Sequence, residues 1–252
     1  AYNRLKNIYK RLGDYMAAAE LISNWLKYSP HDLQQQVELG EIFHISDNHE
    51  QAAHLWNEFI QQYGQNPSAY RMLIHTYSRL GLGDKMIQLV YEGRKQFADP
   101  DFMALDMGTF YQSRQSVEKA LSEYLIFAQY NPHQDKIILD KILIISDDKE
   151  TIPIIENHLF KKIDASPNIS HSFLSALYFK VGRYDESLQH QLAIAGDQQI
   201  RWKGLNTFAA NLRQEKQFKL AIQTYQTLLQ EIRSNQKVIE VKELGKVLLG
   251  LG

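Results

Sequence analysis

Cysteine is absent from the 252 residues, which excludes disulfides, thiolate metal sites and cysteine nucleophiles together. Net charge is nearly absent as well: 28 Lys and Arg against 29 Asp and Glu leave −1, with a pI near 6.8. No global field therefore draws nucleic-acid phosphates or anionic headgroups, and no nucleic-acid role is expected. Long apolar runs are missing. No stretch approaches the roughly 18 uncharged apolar residues that a membrane span needs, so no direct membrane insertion is expected, and the opening Ala1-Tyr2-Asn3-Arg4-Leu5 lacks the basic-then-apolar form of an export signal. A chain without cysteine suits cytoplasm and periplasm alike, which leaves the compartment open. What is present, 44% hydrophobic and 23% charged residues at a mean hydropathy of −0.40, fits a folded chain that is neither disordered nor membrane-spanning.

The chain repeats itself. Leu39-Gly40 with Phe43, Leu73-Ile74 with Tyr77 and Met107-Gly108 with Tyr111 recur 34 residues apart, and Leu5 with Tyr9 opens the series. Behind them Ala18, Ala52, Met86 and Ala120 keep the same interval. Leu174, Tyr178 and Ser187 are followed 34 residues later by Phe208, Leu212 and Ala221. The two blocks differ in phase by one residue, which places a single deletion in the segment 135–167. Five of the six prolines, Pro30, Pro67, Pro100, Pro132 and Pro167, fall at the ends of units, and Gly13-Asp14, Asp47-Asn48, Gly81-Leu82-Gly83 and Gly182-Arg183 supply turns within them.

The arrangement resembles the tetratricopeptide repeat family, in which a first helix carries Leu-Gly and then an aromatic, and a second carries Ala and an aromatic. Leu5, Tyr9, Gly13, Tyr15, Ala18 and Pro30 match in the first unit, with Lys6 in place of the usual small residue. Met107, Gly108, Tyr111, Ala120, Tyr124 and Pro132 match in the fourth. The resemblance covers residues 1 to about 235 and implies an all-α, right-handed superhelical solenoid of stacked helix-turn-helix units. These are expected at 1–32, 33–66, 67–100, 101–134, 135–167 (degenerate), 168–201 and 202–235. Independently, apolar positions 4, 7, 8 and 11 of a unit form one helical stripe and positions 20, 24 and 27 another. The small residue at Gly40 or Gly108 and the Ala at position 20 let the paired helices approach closely. The Ile-rich run before Pro153 would suit a strand by propensity, but phase makes it a helix, with a second helix starting near Thr151. Residues 236–252 read as a C-terminal helix, either a cap or the first helix of a further unit, with Val241, Leu244, Leu248 and Leu251 on one face.

Signals for chemistry are weak. His44, His49 and His54 are the closest histidine cluster, yet His49 and His54 stand at i and i+5, about 140° apart on a helix rather than on one face; they read as solvated, and no metal or cofactor is expected. Asp147 and Asp148 sit at a turn where aspartate caps helices. Trp25, Trp56, Tyr77, Tyr111, Tyr124 and Tyr225 occupy phase positions that pack between helices. No catalytic constellation emerges. Some family members clamp a C-terminal carboxylate with Lys and Asn; Asn7 matches, but Glu38 and Met72 stand where an amide and an Arg would be needed.

Positions 2, 5, 9 and 12 of each first helix form the stripe opposite the packed one, which in a solenoid lines a concave groove. It is polar in units two and three, where Arg71 and His75 lie. It turns apolar in units four to six with Phe102, Leu105, Leu139, Leu143, Ile169 and Phe179. A non-enzymatic protein- or peptide-binding scaffold follows, its partner an amphipathic helix or extended apolar segment. The alternative is a targeting or positioning region of a larger enzyme or of an envelope or secretion component. Self-association through uncapped ends is a further possibility.

Overall fold

The computed structural model describes residues 2–234, which contain fourteen α-helices, two short 3-10 helices and no strand. The sequence-expected helix at 236–252 lies outside the described residues. Two compact units divide the chain, Ala1–Met103 and Ala104–Gly252. The first holds α1 (Tyr2–Leu12), α2 (Tyr15–Tyr28), α3 (Leu33–Ile45), α4 (His49–Tyr63), α5 (Pro67–Arg79) and α6 (Gly83–Phe97). The second holds α7 (Ala104–Ser113), α8 (Val117–Tyr130), α9 (Asp135–Ile145), α10 (Ile152–Lys162), α11 (Pro167–Lys180), α12 (Tyr184–Ala193), α13 (Gln198–Gln214) and α14 (Phe218–Ser234).

Six hairpins share one reversal. Gly13, Asp47, Gly81 and Gln115 take a left-handed backbone at 34-residue intervals, as do Gly182 and Lys216. The N–H that follows each one donates back across the turn, to the carbonyls of Tyr9, Phe43, Tyr77, Tyr111, Tyr178 and Leu212, at 2.8–3.0 Å. This is the six-to-one bond of a Schellman motif, which satisfies a carbonyl that the end of the helix would otherwise leave bare. Because the accepting residue is the same repeat position each time, every first helix ends in register. Asp14 and Asn48 then cap the second helix, accepting from Ala17 N at 3.1 Å and Gln51 N at 3.2 Å.

The hairpin of α9 and α10 departs from this pattern. Its turn has no left-handed residue; Asp148 instead caps a 3-10 turn over Lys149–Thr151, accepting from Glu150 N at 3.0 Å. The Ile-rich run is helical, and α10 begins beside Thr151 with Pro153 in its first turn, where the missing N–H costs nothing. Both helices pack against α8 and α11.

Within hairpins the two helices match in size. Gly40 lies beneath the Trp56 indole and Gly108 beneath the Tyr124 ring, so that a Cβ at either glycine would fall inside the aromatic. Trp56 Nε1 donates to Val37 O at 3.2 Å and the Tyr124 hydroxyl to Gln112 Oε1, which provides the polar partner a buried indole or phenol needs. In α11 and α12 the same slot is polar. Ser175 Oγ donates to Ser187 O at 3.0 Å and Ser187 Oγ to Ser175 O at 2.7 Å. One turn away, the Nδ1 atoms of His171 and His190 lie 2.8 Å apart. Lys6, in the slot that glycine fills elsewhere, is 4% exposed. Its ammonium donates to Gln35 Oε1 at 3.0 Å and to Glu38 Oε2 at 2.5 Å. A buried cation survives only with such partners.

Two outcomes follow. Replacing Gly108 with Ala forces the Tyr124 ring aside and should cost about 1–3 kcal/mol in urea unfolding; adding Tyr124→Leu should recover part of the loss, whereas additive losses would disprove the contact. Burial first, and then His171, hold the His190 pKa below its ordinary 6.5. The unfolded chain therefore binds this proton more readily, and the associated stability is complete above pH 6.5 and declines as pH falls below it. Thermal midpoints should drop more steeply below that pH in the parent than in His190→Asn, and equal slopes would remove His190 as a cause.

Candidate functional site

In the first unit, Arg71 and His75 are exposed on α5, as the stripe predicts. Phe102 is not a surface residue: at 2% exposure it is core. The sequence phase assumes a helix running through it, but α7 starts only at Ala104, and left-handed Ala98 and Met103 fold residues 98–103 into a turn. The ring turns inward over Gly93, where a Cβ would come within 2.8 Å of it. It meets Phe97 at 5.3 Å and Tyr70 at 6.5 Å between centroids. The Arg71 guanidinium lies 5.0 Å from its centroid. Removing Phe102 would therefore test packing, not recognition.

The rest of this stripe is a ladder of ion pairs. Glu38 receives Lys6 and Lys10, the latter at 3.0 Å, and Glu41 receives Arg79 at 2.6 Å. Burial raises the Glu38 pKa, but the hydrogen bonds from Lys6 and Lys10 outweigh it and hold the carboxyl below its usual range. Glu38 is thus a committed counterion, which accounts for the departure from the carboxylate-clamp pattern. A hollow of about 690 Å3 between α1 and α3 is lined by Asn3, Lys6, Asn7, Gln34 and Glu38 among others.

In the second unit, Leu105, Leu139, Leu143, Ile169 and Phe179 are all half-buried. Phe179 is drawn into the core between Tyr184 and Phe208, at 5.2 and 5.6 Å between centroids. On α9 the open apolar residues are ones the spacing missed, Ile137 at 44% and Ile144 at 59% exposure. They lie seven residues apart on α9, on one face with exposed Asp140. The 3-10 turn Pro132–Gln134 leads into α9, and the exposed stripe there falls one residue later than the constant phase requires, about 100° around the helix. The run holds more aliphatic residues than one buried stripe can take, which was the available sign that some would stay open.

Neighbouring helices connect to this face. Lys141 Nζ reaches Thr109 Oγ1 on α7 at 3.3 Å and lies over the Tyr124 ring. From α11, Lys180 donates to Leu143 O and to Asp147 at 2.5 Å. Beside Ile169 opens a hollow of about 390 Å3, walled by Pro132, Ile194, Ile200 and Gly204 among others. The Arg201 side chain at its wall is held by Glu231 at 2.7 Å and by the carbonyls of Leu192 and Ile194.

Other sequence-flagged groups resolve simply. Asp147 pairs with Lys180 and Asp148 caps the 3-10 turn. Five of the six aromatics expected between helices are buried, whereas Trp25 is half open, stacked on Tyr2 at 4.6 Å and donating to Asp32 at 3.0 Å. His49 and His54 do not meet: His54 faces Glu58 at 3.3 Å, and His49 turns instead to His44, with 3.0 Å between their Nδ1 atoms. Among the described residues, no three His, Asp or Glu side chains gather as a metal site, and no helix is long and apolar enough to cross a membrane.

No family model matches the chain, and no curated protein does. Solved structures do. A tetratricopeptide repeat protein from Parabacteroides merdae is 12% identical with a TM-score of 0.40, covering 100% of this chain and 99% of its own. MamA is 13% identical (TM-score 0.36; 75% of this chain, 91% of its own). PilW, a widely conserved type IV pilus biogenesis factor, is 15% identical (TM-score 0.35; 86% and 99%). The tetratricopeptide-like, all-α repeat fold of this chain rests on its own geometry: six hairpins closed by one recurring left-handed turn, with the carbonyl of the same aromatic or leucine position accepting the closing bond.

Proposed function

We propose that the chain is a non-enzymatic protein-binding scaffold whose recognition face lies on the second unit, centred on α9 and continued by α7 and α11. The reading is carried by one observation, the exposure of Ile137 and Ile144 on a single face of α9. Aliphatic side chains left in water at heptad spacing lose hydration cost when another apolar surface covers them. Half-buried Leu105, Leu139, Leu143 and Ile169 extend the apolar character around them, and the hollow beside Ile169 offers room for a further side chain. Seven residues of helix rise about 10 Å, so the partner that fits is an amphipathic helix, or an extended apolar segment, with two anchors about that far apart. Arg71 and His75 lie exposed on α5 of the first unit and would serve as polar contacts of that unit. Asp106 and Asp140, exposed among the apolar side chains, would favour register over raw affinity.

The test compares partners captured by the intact chain with those captured by the double variant Ile137→Asp, Ile144→Asp. Both positions are surface positions, so circular dichroism and the thermal midpoint should stay close to the parent. Partners bound through this face should be lost, with affinity for an identified partner falling by about tenfold or more, as two anchors of about 1 kcal/mol each imply. Retention of every partner by a folded double variant would refute the assignment.

A further inference from the structure

The hairpin turn of the second helix pair holds the cluster with the most chemistry left unused. His44 is in the last turn of α3 and His49 is the first residue of α4. The reversal between them is fixed by left-handed Asp47, φ 62°, and by the bond from Asn48 N to Phe43 O at 2.9 Å. Two imidazoles five residues apart, which a single helix would point apart, are thereby brought to one place. We propose that His44 and His49 chelate a late first-row divalent cation through their Nδ1 atoms, Cu2+ in preference to Ni2+ or Zn2+.

The two Nδ1 atoms share a hydrogen bond at 3.0 Å, and the ring geometry also suits a shared ion. Two rings aimed straight at each other keep their centroids as far apart as a given nitrogen separation allows. His171 and His190 come close to that limit, with 2.8 Å between nitrogens and 5.1 Å between centroids. His44 and His49 have a longer nitrogen separation, 3.0 Å, but centroids only 4.5 Å apart. Their rings are folded toward one another, the disposition of two ligands side by side on one ion. Metal–nitrogen bonds of about 2.0 Å at a right angle place cis nitrogens about 2.8 Å apart, and tetrahedral bonds about 3.3 Å. The observed separation lies between these values and nearer the square one, which suits Cu2+, the ion that imidazole binds most tightly in its series.

The surroundings admit a cation. The Asp47 carboxylate, 3.9 Å from His49 Nε2, adds negative charge, while Lys85 opposes binding. The His49 side chain is 61% exposed, so water can complete the coordination shell.

Cu2+ alone, titrated into the intact chain near neutral pH, tests the site by electron paramagnetic resonance and by tryptophan fluorescence. The Trp56 ring lies 5.9 Å from that of His44 and would report a bound ion by quenching. One equivalent should bind with hyperfine splitting from two nitrogens. His44→Asn and His49→Asn should each weaken binding by more than about tenfold while leaving circular dichroism unchanged. His54→Asn and His171→Asn should bind as the parent does. Uptake that persists in both site variants would assign the ion to other histidines and overturn the proposal, as would a parent that takes up no stoichiometric Cu2+.

Discussion

The structure depends on one closure, the N–H that crosses six of the hairpin turns to the carbonyl five residues back. It fixes where the first helix stops, and so which of its faces meets the second helix. In a repeat chain this matters more than in a globule, because each helix pair has only its sequence neighbours to correct an error in register. Asp47, Gln115 and Lys216 accept the left-handed conformation without being glycine, at a cost of about 1–2 kcal/mol each. The bond and the packing behind it must offset that strain. Where the closure is lacking, in the hairpin of α9 and α10, Ile138, Ile142 and Ile145 still pack inward, but Ile137 and Ile144 face water.

Behind the turn, each hairpin solves the same problem of volume with different residues. Glycine under tryptophan, glycine under tyrosine and serine against serine all bring two helices together, and in the first hairpin Lys6 takes the slot. That lysine is the costliest of these solutions and governs its vicinity: Gln35 and Glu38 are engaged in satisfying it, so the polar face of the first unit is largely self-neutralised. Among the described residues the second unit shows no such ladder around α9, and the open face of that helix carries Ile137 and Ile144.

The resulting division of character follows the order in which the sequence reads, polar early and apolar later, although the residues that carry it are not all those the spacing suggests. Leu139 and Leu143 were legible as apolar and inner but are half-covered, and Phe179 is held by Tyr184 and Phe208. Phe102 was misplaced because periodicity cannot see where a helix begins; two left-handed residues, neither of them glycine, delay α7 until Ala104. Likewise the run from His49 to His54 draws the eye as a motif, yet the meaningful pair is His44 with His49, joined through a turn rather than along a helix.

The sequence by itself determined the all-α class, the 34-residue period, the turns at Gly13, Asp47, Gly81 and Gly182, the site of the one-residue deletion and the helical start beside Pro153. These follow from local preferences, backbone conformation and hydrophobic periodicity, which act over a few residues and are written in the chain. Tertiary structure alone decided which apolar side chains remain in water, how Lys6 finds its counterion and which histidines meet. Each of these depends on the rotation of a helix about its own axis. A single residue of slip turns a helix by about 100°, and the contacts that set that angle are made with neighbouring helices rather than within the segment itself.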